Sequence, residues 1–302
     1  IVMIGGRVGQ DGIHGATFSS EALTAESPAT AVQIGDPITQ KKFSDALIKE
    51  ARDLELYNSI TDNGAGGISC SIAEMAKESG GCTVDLEKVP LKYPNLEPWK
   101  IWISESQERM TLAVPPEKLE QFEKIMKKHG VESTVLGEFT SDDRCVVKYN
   151  GETIMDLKME FLHNGLPKKH LKTVYTKKKN PEPDFNEPTN LTETLLEILS
   201  RPNICSYEFI SNQYDHSVQG CSVLRPLQGK GRVNSVASIT KPVPESNKGI
   251  ICSQGIYPNY SFIDTYDMAA SAIDTAIRNI ITAGGTLDHL ALMDNFCWCS
   301  SD

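Results

Sequence analysis

The chain has 302 residues, 39% of them apolar and 23% charged, which is the balance of a globular protein with room for two hydrophobic cores. Its formal net charge of −10 argues against a nucleic-acid partner, whose binding rests on neutralising phosphates. No apolar run reaches the roughly 18 residues needed to span a bilayer and no basic-then-apolar export signal opens the sequence, so no membrane partner is expected and a cytoplasmic location is the default.

Ile1–Ile4 reads as a short buried strand that runs into Gly5-Gly6. Asp36-Pro37 opens a helix, with Asp as the cap and Pro at the first helical position, and Phe43, Leu47, Ala51 and Leu54 carry its apolar face to about Tyr57. A strand at Ser59–Thr61 leads into Asp62-Asn63-Gly64-Ala65-Gly66-Gly67, and a second helix over about Ile68–Glu78 stops at Gly80-Gly81. Met110–Val114 reads as a strand and Pro116–His129 as a helix closed by Gly130. Arg144–Tyr149 and Glu152–Leu157 flank Asn150-Gly151, a strong hairpin signal.

Residues 1–165 therefore read as one mixed α/β (α+β) domain. The proline-rich stretch 166–190, with its lysines at 177–179, reads as a solvated linker. Beyond it come a helix near Leu191–Ser200 and strands at Ser222–Arg225, Val233–Thr240 and Gly249–Ser253. A long helix over Tyr266–Ala283 and a strand over Leu287–Met293 follow. None of the eight cysteines forms a C-x-x-C pair. Cys297 and Cys299 are spaced either as a metal-binding pair or as two reduced thiols.

Four constellations carry chemistry. Gly5–Ser20 holds five glycines in its first eleven residues, which suits either a phosphate-facing loop or a flexible turn; His14 within it reads as structural or catalytic. Asp62 at a strand end, ahead of a glycine-rich helix start, suits a Mg²⁺–phosphate pair or a simple cap. Ser104–Met110 is a dense polar cluster before a strand, fit for a phosphorylated or polyhydroxyl ligand or for a hydrophilic turn. Asp294-Asn295 follows an apolar run, where open α/β sheets bind ligands.

Taken in order, GGRVGQDGIHGATFSS, AVQIGDP, TDNGAGG, EPWKIWISESQERM, QYDHSVQG and the closing AGG…LALMDNFCW resemble phosphoribosylformylglycinamidine synthase II over essentially the whole chain. The resemblance implies an ATP-dependent ligase of purine biosynthesis. That enzyme converts formylglycinamide ribonucleotide to formylglycinamidine ribonucleotide through an iminophosphate, using Mg²⁺ and ammonia from a glutaminase subunit or domain. It implies an aminoimidazole-ribonucleotide-synthetase-like C-terminal-type domain at 1–165, the second domain of the family enzyme. Residues 191–302 then form part of an N-terminal-type third domain.

Carried over by motif, Gln33 and Glu105, Ser106 and Gln107 contact the ribonucleotide, Asp62 binds Mg²⁺ and Asn295 binds ATP. The family's catalytic histidine is expected in a first domain outside this sequence, so turnover is expected to need the remaining synthetase domains. Many members carry an acidic residue where this chain has Thr275, which weakens a metal role for that helix although Asn279 is kept. Two other readings are a non-catalytic nucleotide-binding or assembly half, and a sister enzyme such as aminoimidazole ribonucleotide or selenophosphate synthetase. If the second segment is a partial domain it leaves apolar surface uncovered, and self-association or weak order over residues 191–302 is expected.

Overall fold

In the computed structural model, which describes residues 1–13, 34–170, 172, 174, 176, 181–213, 216, 217 and 219–295, strand β1 (Val2–Gly5) lies inside a four-stranded sheet. The chain divides into two compact units, Ile1–His170 and Leu171–Asp302.

In the first unit, β1 is followed by α1 (Pro37–Ala46), which runs on as a π-helical turn over Leu47–Ala51. Next come β2 (Ser59–Asp62), α2 (Gly67–Ser79), β3 (Gly81–Asp85), α3 (Pro98–Ile103) and β4 (Arg109–Ala113). After α4 (Leu119–Lys128), the strands β5 (Ser133–Val135), β6 (Gly137–Thr140), β7 (Arg144–Tyr149) and β8 (Glu152–Lys158) lead to α5 (Met159–Asn164). One sheet has the order β2-β4-β1-β5 and is antiparallel throughout; the other has the order β6-β3-β7-β8, with β3 and β7 parallel.

Alternation along β1 builds both cores at once, because successive side chains of a strand point to opposite faces. Val2 and Ile4 pack with Phe43, Leu47, Leu112, Phe122 and Met126. Ile1 and Met3 pack with Ile68, Ile72, Cys82, Val84, Cys145 and Val147. The helices α1 and α4 thus cover one face of the sheet, and α2 and the second sheet share the other core. Cys82 and Cys145 stand opposite each other on the parallel pair, their Sγ atoms 3.5 Å apart and both side chains buried. The hydrogen bond between the two thiols, with burial behind it, pushes Cys82 well above the usual thiol range.

The first helix, expected to run to about Tyr57, stops at Ala51 and leaves Leu54 exposed on the turn that follows; the other local signals in this unit hold. Asp36 caps α1, its carboxylate accepting from the Ile38 N–H at 3.3 Å and from Thr39 Oγ1 at 2.7 Å. Asn150 and Gly151 take positive φ, 50° and 80°, as a two-residue hairpin turn between β7 and β8 requires. The helix expected over Pro116–His129 begins as a 3₁₀ turn, Pro116–Lys118, before α4. Strands β3, β5 and β6 and the helices α3 and α5 have no strong sequence signature, being short and set between polar residues.

In the second unit, α6 (Leu191–Ser200) has the bounds expected, capped by Asn190. Then come α7 (Glu208–Ser211), β9 (Ser222–Leu224), β10 (Leu227–Gln228), β11 (Val233–Asn234), β12 (Ala237–Thr240), β13 (Ile250–Ser253) and α8 (Thr265–Thr282). The run Val233–Thr240 is two strands in different sheets, β11 pairing β10 and β12 sitting between β13 and β9. Leu287–Met293, expected as a strand, has no strand assignment, and every residue from Leu287 to Met293 is exposed. An apolar run specifies a strand only where neighbouring backbone offers a ladder. Among the described residues of this unit Ala237 is the one buried apolar side chain. Between Asn164 and Leu191 the described residues form no helix or strand, consistent with the linker.

Truncating Phe122, fully buried between α4 and the first sheet, should destabilise the first unit by about 3–5 kcal/mol. Urea unfolding of Phe122→Ala followed by circular dichroism measures this, and a loss below about 1 kcal/mol would show that this core does not close around the ring.

Candidate active site

The loop Ser104–Glu108 between α3 and β4 is wrapped around a buried cation. Arg109 is 3% exposed. Its guanidinium donates from Nε to the Ser106 carbonyl at 2.7 Å and from Nη2 to the Ser104 carbonyl at 2.5 Å. Burial draws the guanidinium down to about 10, opposed by the negative charge of Asp11. The backbone of the polar cluster is therefore fixed from inside.

Two further segments dock on this loop. The Glu105 N–H donates to the Asp11 carbonyl at 2.8 Å. Ser106 Oγ accepts from the Gly9 N–H at 2.9 Å and donates to the Asp11 carboxylate, which also pairs with Lys92 at 2.9 Å. Burial pushes the Asp11 carboxyl up, but the hydrogen bonds from Ser106 and Lys92 outweigh it and leave it below its usual value. On the other side, Glu105 Oε1 accepts from the Gly66 N–H at 3.1 Å. A Cβ on Gly67, which has φ +59°, would overlap the Ser104 carbonyl oxygen, so only glycine lets the turn after β2 lie against the loop.

The same turn carries Asp62. Asn63 anchors it from below: its Oδ1 accepts from Ser71 Oγ at 2.5 Å and Thr111 Oγ1 at 2.7 Å, all three side chains buried. Asp62 is exposed at the end of β2. Its Oδ2 lies 2.7 Å from the place a Cβ on Gly64 would occupy, so the missing side chain gives the carboxylate its room. An exposed carboxylate beside the N-terminus of α2 has the chemistry of a Mg²⁺ ligand. Among the described residues no group of three or more His, Cys, Asp or Glu side chains is placed to share a metal. Asp62 would then hold the ion together with oxygens from ligand and water.

A cavity of about 320 Å³ opens beside the loop, lined by Gly5, Gly6, Arg7, Asp36, Gln107 and Glu108 among others. The structure thus brings Gln107 to the cavity and places Asp62 and Glu105 on either side of the Gly64–Gly67 turn. Glu105 and Ser106 are buried and already engaged by protein groups. Gln107 donates from Nε2 to the Glu105 carbonyl at 3.1 Å. Gln33, His14, the rest of the glycine-rich loop to Ser20, and Cys297 and Cys299 lie outside the described residues. Asn295 is exposed in the second unit. In α8, Thr275 is hydrogen-bonded to the Tyr257 hydroxyl at 2.9 Å, a structural use for the residue that departs from the family pattern. Asp11, Asn63 and Arg109 lie inside three of the polar or glycine-rich constellations but carry no individual role in the sequence reading; their partners stand 3 to 95 positions away. The one available signal was an arginine next to an apolar strand.

Residues 1–150 match the C-terminal domain of the AIR synthase related protein family. The chain is 37% identical over 307 residues to the phosphoribosylformylglycinamidine synthase subunit PurL of Thermococcus sibiricus, covering 100% of this chain and 41% of that protein. It is 33% identical over 307 residues to the PurL subunit of Thermoplasma volcanium, covering 98% and 39%. Over essentially its whole length the chain is similar to these phosphoribosylformylglycinamidine synthase subunits. It spans about two fifths of the length of these PurL relatives. A solved structure of Thermotoga maritima PurL complexed with FGAR is similar at a TM-score of 0.70 and 29% identity, over 94% of this chain and 43% of that one. The α/β fold and a C-terminal-type domain at the start of the chain agree with the family match over residues 1–150 and with the PurL structure. No helix among the described residues is long and apolar enough to cross a membrane.

Replacing Asp11 by Asn should cost about 1–3 kcal/mol at neutral pH, since it removes the charge that pairs with Lys92. Asp11 has a depressed native value, so its contribution is complete above the ordinary carboxylate value of 3.8 and is lost as pH falls below that through the native value. Unfolding free energies of wild type and Asp11→Asn should therefore converge as the pH is lowered below 3.8; a constant difference would remove the linkage. Gly67→Ala should lose native structure or several kcal/mol, roughly 3 or more, by the same measurement.

Proposed function

We propose that this chain forms part of the synthetase site that converts formylglycinamide ribonucleotide, ATP and glutamine-derived ammonia to formylglycinamidine ribonucleotide, ADP and phosphate. The observation that carries the reading is the cavity between Gly5-Gly6 and Gln107. It lies in a unit built like a PurL protein whose structure was solved with FGAR. Another structure, 25% identical with a TM-score of 0.67, holds ATP, which supports a nucleotide as second ligand. A structure of PurLQS, 26% identical with a TM-score of 0.70, supports partner subunits, a glutaminase among them, as the ammonia source.

Within this reading the backbone of Gly5-Gly6 and the Gln107 side chain face the ribonucleotide, and Gln33 precedes Ile34, which also lines the cavity. Glu105 and Ser106 serve by holding their loop, and contact the ligand through it. Asp62 is the Mg²⁺ ligand, and the ion supplies charge neutralisation for phosphoryl transfer when bound. Asn295 contributes to the ATP site. Residues 1–165 correspond to the second domain of the family enzyme and 191–302 to part of the third, joined by the linker 166–190. The cytoplasm is the expected compartment.

Calorimetric titration of the chain with formylglycinamide ribonucleotide should give saturable binding that Gln107→Ala weakens by about tenfold, or 1.4 kcal/mol. Absence of binding, or preference for aminoimidazole ribonucleotide precursors or selenide, would move the assignment to a sister synthetase. ATP hydrolysis stimulated by the ribonucleotide should be negligible for this chain alone and appear when the other synthetase domains are added. Robust turnover by the chain alone would overturn the claim that its site is partial.

Self-association belongs to the same reading. Leu191, Leu195, Leu196, Ile198 and Leu199 of α6 are all exposed, a contiguous apolar helix face that water disfavours. Light scattering should show mass rising with concentration, and Leu195→Lys with Leu196→Lys should abolish the rise; a monomer at all concentrations would exclude it.

A further inference from the structure

Glu108 combines three features that neither the motif carry-over nor the PurL likeness explains. Its φ is +54°, in the left-handed region where glycine sits freely and a glutamate does not. Its carbonyl accepts the Gly6 N–H at 2.9 Å, and a Cβ on Gly5 would overlap that same oxygen. Its carboxylate accepts the Asp36 N–H at 2.7 Å through Oε2, while Oε1 lies 2.8 Å from the place a Cβ on Gly35 would occupy.

The bond to Asp36 has a specific meaning. Asp36 is the N-cap of α1, its own carboxylate spent on Ile38 and Thr39. In a capping box the third helical residue, a Glu or Gln, reaches back to the N–H of the cap. Here that position is Thr39, which is too short and already donates to Asp36. Glu108, 72 residues away in sequence, supplies the missing acceptor.

We propose that Glu108 is a positioning residue that completes the α1 cap from across the cavity. It sets the distance between the Gly5-Gly6 wall and the Gly35-Asp36 segment that follows Gln33. This inference rests on the reading of the cavity as the ribonucleotide-facing wall. Left-handed backbone at a bulky residue persists where the surroundings over-determine it, often at ligand clamps. Glycine would fit this φ better but would leave the Asp36 N–H without the Glu108 carboxylate.

The test uses the full chain as wild type and as Glu108→Gly, Glu108→Ala and Glu108→Gln. Three readouts are taken: Tm, hydrogen exchange at the Asp36 amide by NMR, and affinity for formylglycinamide ribonucleotide. Glu108→Gly should melt above Glu108→Ala, because glycine relieves the backbone while both lack the carboxylate. Both should speed exchange at Asp36 by about tenfold or more and weaken ribonucleotide binding by about tenfold. Glu108→Gln, which keeps an acceptor oxygen at the same reach, should restore both. Unchanged Asp36 exchange in Glu108→Gly and Glu108→Ala overturns the proposal, as does wild-type affinity in both. If the wild type binds no ribonucleotide, the substrate reading falls, and the cap is judged by exchange alone.

Discussion

The buried guanidinium of Arg109 is the constraint on which the site depends. A cation removed from water must be met by acceptors, and the acceptors here are the carbonyls of Ser104 and Ser106, with the charge of Asp11 nearby. Meeting that demand folds Ser104–Glu108 into a compact loop whose outward groups face three neighbours. Ser106 takes the Gly9–Asp11 segment, Glu105 takes the turn that carries Asp62, and Glu108 takes the start of α1. A single ion sets the relative placement of segments far apart in sequence.

The scaffold beneath this loop is rigid for a different reason. With β1 buried on both faces, a one-residue slip in its pairing would exchange the side chains of two cores. Register with β4 is therefore strongly specified, and β4 carries Arg109 at its first residue, paired with Gly5. The position of the glycine pair beside the polar loop follows directly from hydrophobic pairing. Glycine at positions 5 and 67 is needed because backbone oxygens of the loop pass where a Cβ would stand.

The carried-over site residues divide by what their side chains do. Glu105 and Ser106 are part of the framework. Gln107 and Asp62 face open space, at the cavity and at a strand end. The second unit contrasts with the first: Ala237 is its one buried apolar side chain among the described residues, and the leucines of α6 are exposed.

The sequence by itself determined the elements that close on local chemistry. The Asp36-Pro37 helix start, the Asn150-Gly151 hairpin, the glycine stop of α2 and the Asn190-capped helix are all legible because cap and turn geometry is decided within a few residues. The ordered motifs also carried the resemblance to these synthase subunits. Tertiary structure alone decided the split of Val233–Thr240 between two sheets and the absence of a strand over Leu287–Met293, since a strand exists only where another offers its ladder. It alone decided that Glu105 and Ser106 turn inward, that Asp11 and Asn63 anchor the site, and that Glu108 caps a distant helix. Those outcomes hang on burial and, for Asp11, Asn63, Glu105 and Glu108, on partners 8 to 95 positions away, which no local pattern of residue types encodes.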